Sequence, residues 1–238
     1  MPVKHDAIKE DAIKEDAMET SLHQQLKHHY AGSQRQTEVA LGSYRIDAIR
    51  DDELIEIQCA SLSAIRDKTV ELLKRHRLRI VKPIAIRTRI LKSKTKTSKI
   101  TSRRLSPKRG STLEIFEELI YFTRVFPHEN LTIEVPLVHV QQHRIPAHKR
   151  RRRRWGKDYQ VADVHLESIG ESLELRNPSD LLELAGIPPH LAEFNTADLA
   201  KILDRPRWVA QKVAYVLRHT NTIQPDGRNR SGIIYRAA

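Results

Sequence analysis

Three acidic residues in the N-terminal half of the chain are separated by equal intervals of nine residues. Glu38, Asp47 and Glu56 lie in the stretch "EVALGSYRIDAIRDDELIEIQCAS", residues 38–61, whose alternation of apolar and polar residues is typical of β-strands. Carboxylates directly opposite each other on one face of a sheet are destabilising, by up to about 1 kcal/mol per pair. A hard divalent cation removes this conflict, because Mg²⁺ prefers one or two carboxylates together with water and phosphate oxygens. The spacing therefore indicates a metal site, provided that the acids share a face.

Two tight turns would give the acids that shared face. We predict strands over 38–41, 44–50 and 53–59, joined by turns at 42–43 and 51–52. In this register Glu38 lies opposite Asp47 and Asp47 lies opposite Glu56, while Gln58 follows two residues beyond Glu56 on the same face. A slip of one residue in either turn would move an acid to the other face.

This arrangement resembles the PD-(D/E)xK nuclease superfamily, and most closely its Glu-x-Gln branches such as the competence-associated nuclease-like proteins. The segments "TEV", "YRIDAI" and "IEIQCAS" supply Glu38, Asp47, Glu56 and Gln58, with Gln58 standing where most of the family has Lys. The resemblance covers residues 21–100 well and 111–142 loosely. It implies an α/β fold, restriction-endonuclease-like, with a mixed sheet flanked by helices.

The resemblance also implies metal-assisted hydrolysis of phosphodiester bonds. Asp47 and Glu56 would hold Mg²⁺ or Mn²⁺, and Glu38 would bind a second ion or orient water. The amide of Gln58 would donate to the water or to a phosphate oxygen, and Lys68, on a helix predicted over 62–76, would restore the missing positive charge. The alternative is an inactive scaffold on which these acids have no catalytic role.

Two segments are strongly basic, in a chain of net charge +12 and pI about 9.9. Residues 87–109 contain ten Lys or Arg and no acid, and a second run stands before Trp155. The members of that run are Arg150, Arg151, Arg152, Arg153 and Arg154. Such runs are typical of solvated loops, but they also bind phosphate backbones by counterion release. Nucleic acid is a better match than membrane, since no apolar stretch is long enough to span a bilayer.

The C-terminal part resembles a winged helix-turn-helix domain. Caps and apolar stripes predict helices in "NPSDLLELAG", "NTADLAKILD" and "RPRWVAQKVAYVLRHT", and "TIQPDGRNRSGIIYRA" predicts a hairpin. In that family the third helix enters the major groove and the wing contacts phosphate or the minor groove. The matching polar residues are Arg207, Gln211 and Lys212 on the helix and Arg228 and Arg230 on the wing. A protein-interaction module and another helical fold are the alternatives.

These observations divide the chain into four parts. Residues 1–20 form a repetitive tail, 21–143 a nuclease-like domain, 144–157 a basic linker and 158–238 a mostly helical, winged-helix-like domain. Cys59 is the only cysteine, which excludes an intramolecular disulfide and indicates a reducing cytoplasm. The twelve His residues show no convincing zinc-site spacing.

Three functions remain open on the sequence. The first is a Mg²⁺-dependent nuclease of DNA, guided by its winged-helix domain. The second is a non-catalytic DNA-binding protein or regulator on a degenerate nuclease scaffold, and the third is an assembly protein that holds a partner. DNA is the expected partner, RNA is a further option, and a homodimer is left open.

Overall fold

The computed structural model describes residues 20–32, 36–147, 158–188, 191 and 193–237. Its helices are α1 (Ser21–Ala31), α2 (Arg66–Leu73), α3 (Glu114–Leu119), α4 (Pro178–Leu184), α5 (Thr196–Ile202) and α6 (Arg207–His219). Its first six strands are β1 (Thr37–Leu41), β2 (Tyr44–Arg50), β3 (Glu53–Ile57), β4 (Arg77–Val81), β5 (Ile84–Lys92) and β6 (Ser102–Leu105). The last four are β7 (Leu131–Pro146), β8 (Tyr159–Leu175), β9 (Ile223–Asn229) and β10 (Gly232–Ala237).

One mixed sheet contains β1 to β8. β1, β2 and β3 form an antiparallel meander, and β3 then pairs in parallel with β4. β4 and β5 both run parallel to β7, with Val81 opposite Glu134 and Ile84 opposite Leu137, so they lie end to end along one side of β7. β8 pairs antiparallel with the other side of β7 and β6 pairs antiparallel with β5. The α/β class and the mixed sheet are as predicted.

Helices cover both faces of this sheet. Neighbouring residues of β3 belong to different cores, because Leu54 packs with the α2 side chains and Ile55 packs with Leu22 and Leu26 of α1. The larger core, on the α2 face, continues through α3 into α4, α5 and α6. The C-terminal helices are thus packed onto the sheet. Within the described residues, no helix is long and apolar enough to cross a membrane.

The C-terminal elements follow the predicted order of three helices and a hairpin. Asn177 and Asn195 cap α4 and α5 with reciprocal capping boxes, each satisfying backbone N–H groups that the first turn leaves unpaired. β9 and β10 pair antiparallel, and the backbone of Phe194 pairs with that of Tyr235 in β10. The caps and the apolar stripe of α6 were readable from sequence because both are local features.

Several predicted boundaries were wrong. Residues 159–175, assigned to the mostly helical C-terminal domain, form strand β8 of the main sheet. This strand is an edge with only one partner, so most of its residues are exposed and the sequence lacks a strong apolar pattern. The helix predicted over 62–76 is a 3₁₀ turn, Leu62–Ile65, followed by the short α2. The tail 1–19 and most of the predicted linker lie outside the described residues.

Candidate functional site

Two hairpin turns set the positions of the three acids. Gly42 has φ +60° in the first turn, and Asp51 and Asp52 have φ +50° and +63° in the second. The pairs Val39–Ile46 and Thr37–Ala48 flank Glu38 and Asp47, so these two acids lie opposite each other as predicted. The predicted strands over 38–41 and 44–50 and both turns are therefore confirmed, whereas the third strand, predicted over 53–59, ends at Ile57.

The ladder between β2 and β3 opens where Asp47 meets Glu56. Its last pair is Ala48–Ile55, and beyond it the Asp47 side chain takes the place of a backbone partner. Oδ2 of Asp47 accepts a hydrogen bond from the backbone N–H of Ile57 at 2.7 Å. Asp47 is thus held in the fork between the two strands.

Cations from the protein itself neutralise the first two acids. Lys27 of α1 is an ion-pair partner of both Glu38 and Asp47, with its Nζ 3.9 Å from Oδ1 of Asp47. Nε2 of His23, one helical turn earlier, lies 3.2 Å from Oδ2 of Asp47, and Arg45 pairs with Glu38. Burial works to raise the pKa of Asp47, but His23, the Ile57 N–H and Lys27 outweigh it, so the pKa lies below its usual value.

Glu56 is more deeply buried and has a different cation. Its side chain is 8% exposed, and Nζ of Lys68 lies 2.8 Å from its Oε1. Lys68 also donates to the backbone oxygen of Arg45. Burial raises the pKa of Glu56 to about 7; the Lys68 charge opposes the rise and the neighbouring Asp47 charge adds to it. Lys68 thus lies beside one of the three acids, and its predicted catalytic role stays a prediction.

The three acids do not share one face of the sheet. Asp47 and Glu38 are held by α1, whereas Glu56 is held by α2, and these helices cover opposite faces. The prediction of a single-faced row is therefore wrong, because the opening of the ladder lets the Asp47 side chain turn towards α1. In the described part of the chain, no group of three or more His, Cys, Asp or Glu side chains could hold a metal ion. As arranged here, Asp47 and Glu56 each lie against a cation of the protein, so a metal ion at these acids would have to displace Lys27 or Lys68.

Gln58 lies just past the end of β3. Its side-chain oxygen accepts a hydrogen bond from Ala60 N at 3.3 Å, and its backbone N–H donates to Val81 O. The nearby Lys82 is buried, and its Nζ lies 3.2 Å from Glu118 and donates to the Ala60 carbonyl. Gln58 thus caps a turn. Its predicted role, donating to water or to a phosphate oxygen, stays a prediction.

Sequence reasoning missed the α1 cations. His23 and Lys27 are four residues apart, so they lie on one side of the helix, and that side faces the acids. The i, i+4 spacing was a readable signal, but nothing local to α1 shows which strand it will pack on.

A second charged network, also missed, crosses the α1 face. Arg79 of β4 donates to Glu53 at 2.7 Å and to Glu134 at 2.6 Å. Tyr30 of α1 donates to the other oxygen of Glu134 at 2.5 Å, as does Ser172 at 2.9 Å. The buried charges are mutually satisfied, which indicates a structural role.

The first basic segment forms an exposed extension of the sheet, which we call the basic arm (residues 87–109). It comprises the end of β5, the strand β6 and their connections. Only Arg89 of its ten cations has a carboxylate partner in the described part of the chain, Glu167 at 3.0 Å. A small cavity of about 160 Å³ lies at its base, lined by Arg87, Leu105, Ser106, Pro107, Lys108 and Arg109.

Some of the C-terminal residues predicted to contact nucleic acid are exposed, whereas others already have partners within the protein. Arg207 donates to Thr196 and to the Ser231 carbonyl, and Lys212 is bound to Glu117 of α3 at 2.9 Å. Gln211 is exposed on α6, and Arg228 and Arg230 are exposed at the hairpin. The run Arg150, Arg151, Arg152, Arg153 and Arg154 lies outside the described residues.

Comparison with known proteins identifies the family. Residues 20–176 match the family described as Domain of unknown function (DUF8091), so the chain belongs to it. A protein of Treponema pallidum (strain Nichols), described as uncharacterized, is 28% identical over 166 residues. The match spans 69% of this chain and 65% of that protein. No solved structure matches. The family match ends one residue beyond β8, which agrees with β8 belonging to the main sheet.

Proposed function

We propose that this member of the DUF8091 family is a nucleic-acid-binding protein that holds the phosphate backbone along its basic arm and does not cleave it. The observation that carries the proposal is that the cations of the arm are largely without ion-pair partners in the described part of the chain, whereas the acids are paired. Nine of the ten cations in the basic arm have no carboxylate partner among the described residues, whereas each of the three candidate catalytic acids is paired with a Lys or Arg of the protein.

Unpaired cations make phosphate binding favourable. No internal ion pair has to break before these side chains contact a backbone, and each contact releases a condensed counterion. The complete absence of Asp and Glu from 87–109 removes local repulsion of the polyanion. The single cysteine, Cys59, is consistent with a reducing cytoplasm, which we include in the proposal.

The basic arm projects away from the acids. Glu56 pairs with Ile80 of β4, which in turn pairs with Ile133 of β7. Arg87 and Lys92 of the arm pair with His139 and Arg144, which lie further along β7. Six to eleven residues of β7 therefore separate the acids from the arm's β5 portion, a distance of about 20 to 36 Å at about 3.3 Å per residue. The length of that portion matches about five phosphates of one strand, at about 3.4 Å each.

The C-terminal helices α4 to α6 and the hairpin of β9 and β10 support a second contact with nucleic acid in the proposal. Three helices followed by a hairpin are the order of a winged helix-turn-helix domain, and Gln211, Arg228 and Arg230 are exposed on it. Arg207 and Lys212 are already engaged inside the protein, so we assign them to packing of α6 rather than to base reading.

Salt dependence of binding tests the proposal. In EDTA, affinity for a duplex of about 25 base pairs of DNA, and for the RNA of the same sequence, is measured against salt concentration. A quadruple Ser variant of Arg103, Arg104, Lys108 and Arg109 should bind more weakly. The salt slope should fall by up to about 0.9 for each phosphate that the variant no longer neutralises.

A matched control removes the same charge elsewhere. Arg66, Lys74, Arg176 and Lys201 are exposed and each has a carboxylate partner. Their quadruple Ser variant should keep most of the affinity and nearly the whole slope. Equal losses in the two variants would show that net charge alone matters, and no loss in the arm variant would overturn the proposal.

The second candidate is a nuclease that uses Mg²⁺ or Mn²⁺, and the contact between Lys68 and Glu56 favours it. When bound, such a metal would polarise the scissile phosphate and acidify the attacking water. The acids would first have to give up Lys27, which now lies between two of them. Nicking of plasmid DNA that Asp47→Asn abolishes and Gln58→Lys preserves or raises would establish this candidate. Absence of nicking with both metals would support the non-catalytic protein.

A further inference from the structure

α6 (Arg207–His219) has a buried side and an exposed side. The buried side is apolar and packs into the larger core through Ala210, Val213, Ala214, Val216 and Leu217. The exposed side carries two large aromatic residues, Trp208 at 55% exposure and Tyr215 at 44%. Gln211 and Arg218 are also exposed and, by helical spacing, continue the same stripe.

Each aromatic ring on this side has a polar neighbour. Nζ of Lys212 lies 4.8 Å from the centroid of the Trp208 ring, and the ring of His219 lies 4.2 Å from that of Tyr215. Trp208 and Tyr215 are seven residues apart, which is about 10 Å along the helix axis at 1.5 Å per residue. They would therefore contact different nucleotides of a bound strand.

We propose that the exposed side of α6 binds single-stranded nucleic acid by stacking unpaired bases on Trp208 and Tyr215. The inference rests on the proposed function, and it adds the class of substrate. Exposed aromatic rings hold single strands because every base has a π-face, and the exposed Arg218 on the same stripe is a cation that can contact the backbone. The net charge of +12 favours a polyanion over an average protein as a partner of the chain as a whole.

Unpaired bases fit this side of α6 better than a major groove does. Base edges in a duplex are read by extended polar side chains, and two of those on α6 are occupied, Arg207 by Thr196 and Lys212 by Glu117. The bases of a duplex are stacked on one another, so their faces cannot reach Trp208 or Tyr215. A strand with unpaired bases has those faces open.

Loss of stacking should change affinity without changing salt dependence. The variant Trp208→Ala/Tyr215→Ala is compared with wild type, in EDTA, on a 20-nucleotide single strand of DNA and on the duplex of the same sequence. Affinity for the single strand should fall by at least about tenfold, since each stacked base contributes about 1 to 3 kcal/mol. The salt slope should stay the same, and duplex affinity should change by less than about twofold.

Two further variants make the result specific. Tyr121→Ala removes an aromatic side chain that is 62% exposed elsewhere, and it should leave binding unchanged. Trp155→Phe leaves Trp208 as the sole tryptophan, and its fluorescence should be quenched by poly(dT) if bases stack on the ring. Circular dichroism of each variant checks that α6 is still folded.

The outcomes separate the inference from the proposed function. If the basic-arm variant loses binding and the α6 variant binds both probes like wild type, the stacking surface is refuted and the proposed function stands. If neither variant loses binding, both are refuted. Equal losses on single strand and duplex would make α6 a general contact and overturn the inference. A fall in self-association, with binding unchanged, would assign this side of α6 to a second copy of the chain.

Discussion

Replacing Glu56 by Gln should make the folded protein more stable at pH 8. Burial, the largest influence, raises the pKa of this carboxyl from its ordinary value of 4.5 to about 7 in the folded state. The folded state therefore keeps its proton at pH values where the unfolded state has lost it. Raising the pH from about 4.5 to about 7 then removes stability, because the unfolded chain binds fewer protons than the folded chain.

The magnitude follows from the size of the pKa shift. The rise in the pKa of Glu56 from 4.5 to about 7 corresponds to about 3 kcal/mol. The side chain is 8% exposed, so solvent screening reduces this figure little. The amide of Gln cannot ionise. The free energy of unfolding of Glu56→Gln should therefore exceed that of wild type by up to about 3 kcal/mol at pH 8 and by almost nothing at pH 4. Removal of the ion pair with Lys68 will offset part of the gain.

Urea unfolding of wild type and variant at intervals from pH 4 to pH 8 measures this difference. The free energy of unfolding of the variant, minus that of wild type, should rise with pH and level off above pH 7. Glu71→Gln is the control, because Glu71 is exposed and paired with Lys74, so its difference should stay within about 0.5 kcal/mol at every pH. A variant less stable than wild type at pH 8, or a difference independent of pH, would refute the burial argument.

Three further changes test the packing around the acids and the arm. Lys27→Met should lower the free energy of unfolding by about 3 kcal/mol at pH 7, measured by urea titration, because it leaves two partly buried carboxylates without their shared cation. Tyr30→Phe should cost about 1 to 3 kcal/mol in the same assay, since buried Glu134 loses a donor; an unchanged midpoint would contradict this. Gly110→Ala should cost about 1 to 3 kcal/mol, because the new Cβ would lie 2.5 Å from the Ala85 carbonyl oxygen. Wild-type stability of that variant would show that the loop moves freely.

The hairpin register could be predicted because the residues that set it are local. Gly42 and the pair Asp51–Asp52 adopt positive φ, which fixes where each strand turns and which acids lie opposite each other. The caps of α4 and α5 were predictable for the same reason. In each case the deciding contacts span fewer than about five residues.

The environment of the acids could not be predicted, because it depends on contacts between distant segments. Lys27 reaches Asp47 only because α1 packs across β2 and β3, and α1 is positioned in turn by Ser21, which donates to Asp163 of β8. That last contact joins residues 142 positions apart. β8 itself was missed because an edge strand does not need the apolar alternation by which buried strands are recognised.

The ion pairs of Lys27 give Glu38 and Asp47 a structural role that does not involve catalysis. A lysine that is 7% exposed must be matched by negative charge, because an unpaired ammonium inside a protein costs several kcal/mol. Glu38 and Asp47 supply that charge from two adjacent strands, and in doing so they fix α1 against the sheet. A divalent metal bound to the same oxygens would displace Lys27 and leave it buried next to a dication. The contacts of Glu38 and Asp47 with Lys27 attach a helix to the sheet without a metal ion, and this is why we favour a binding protein over a nuclease.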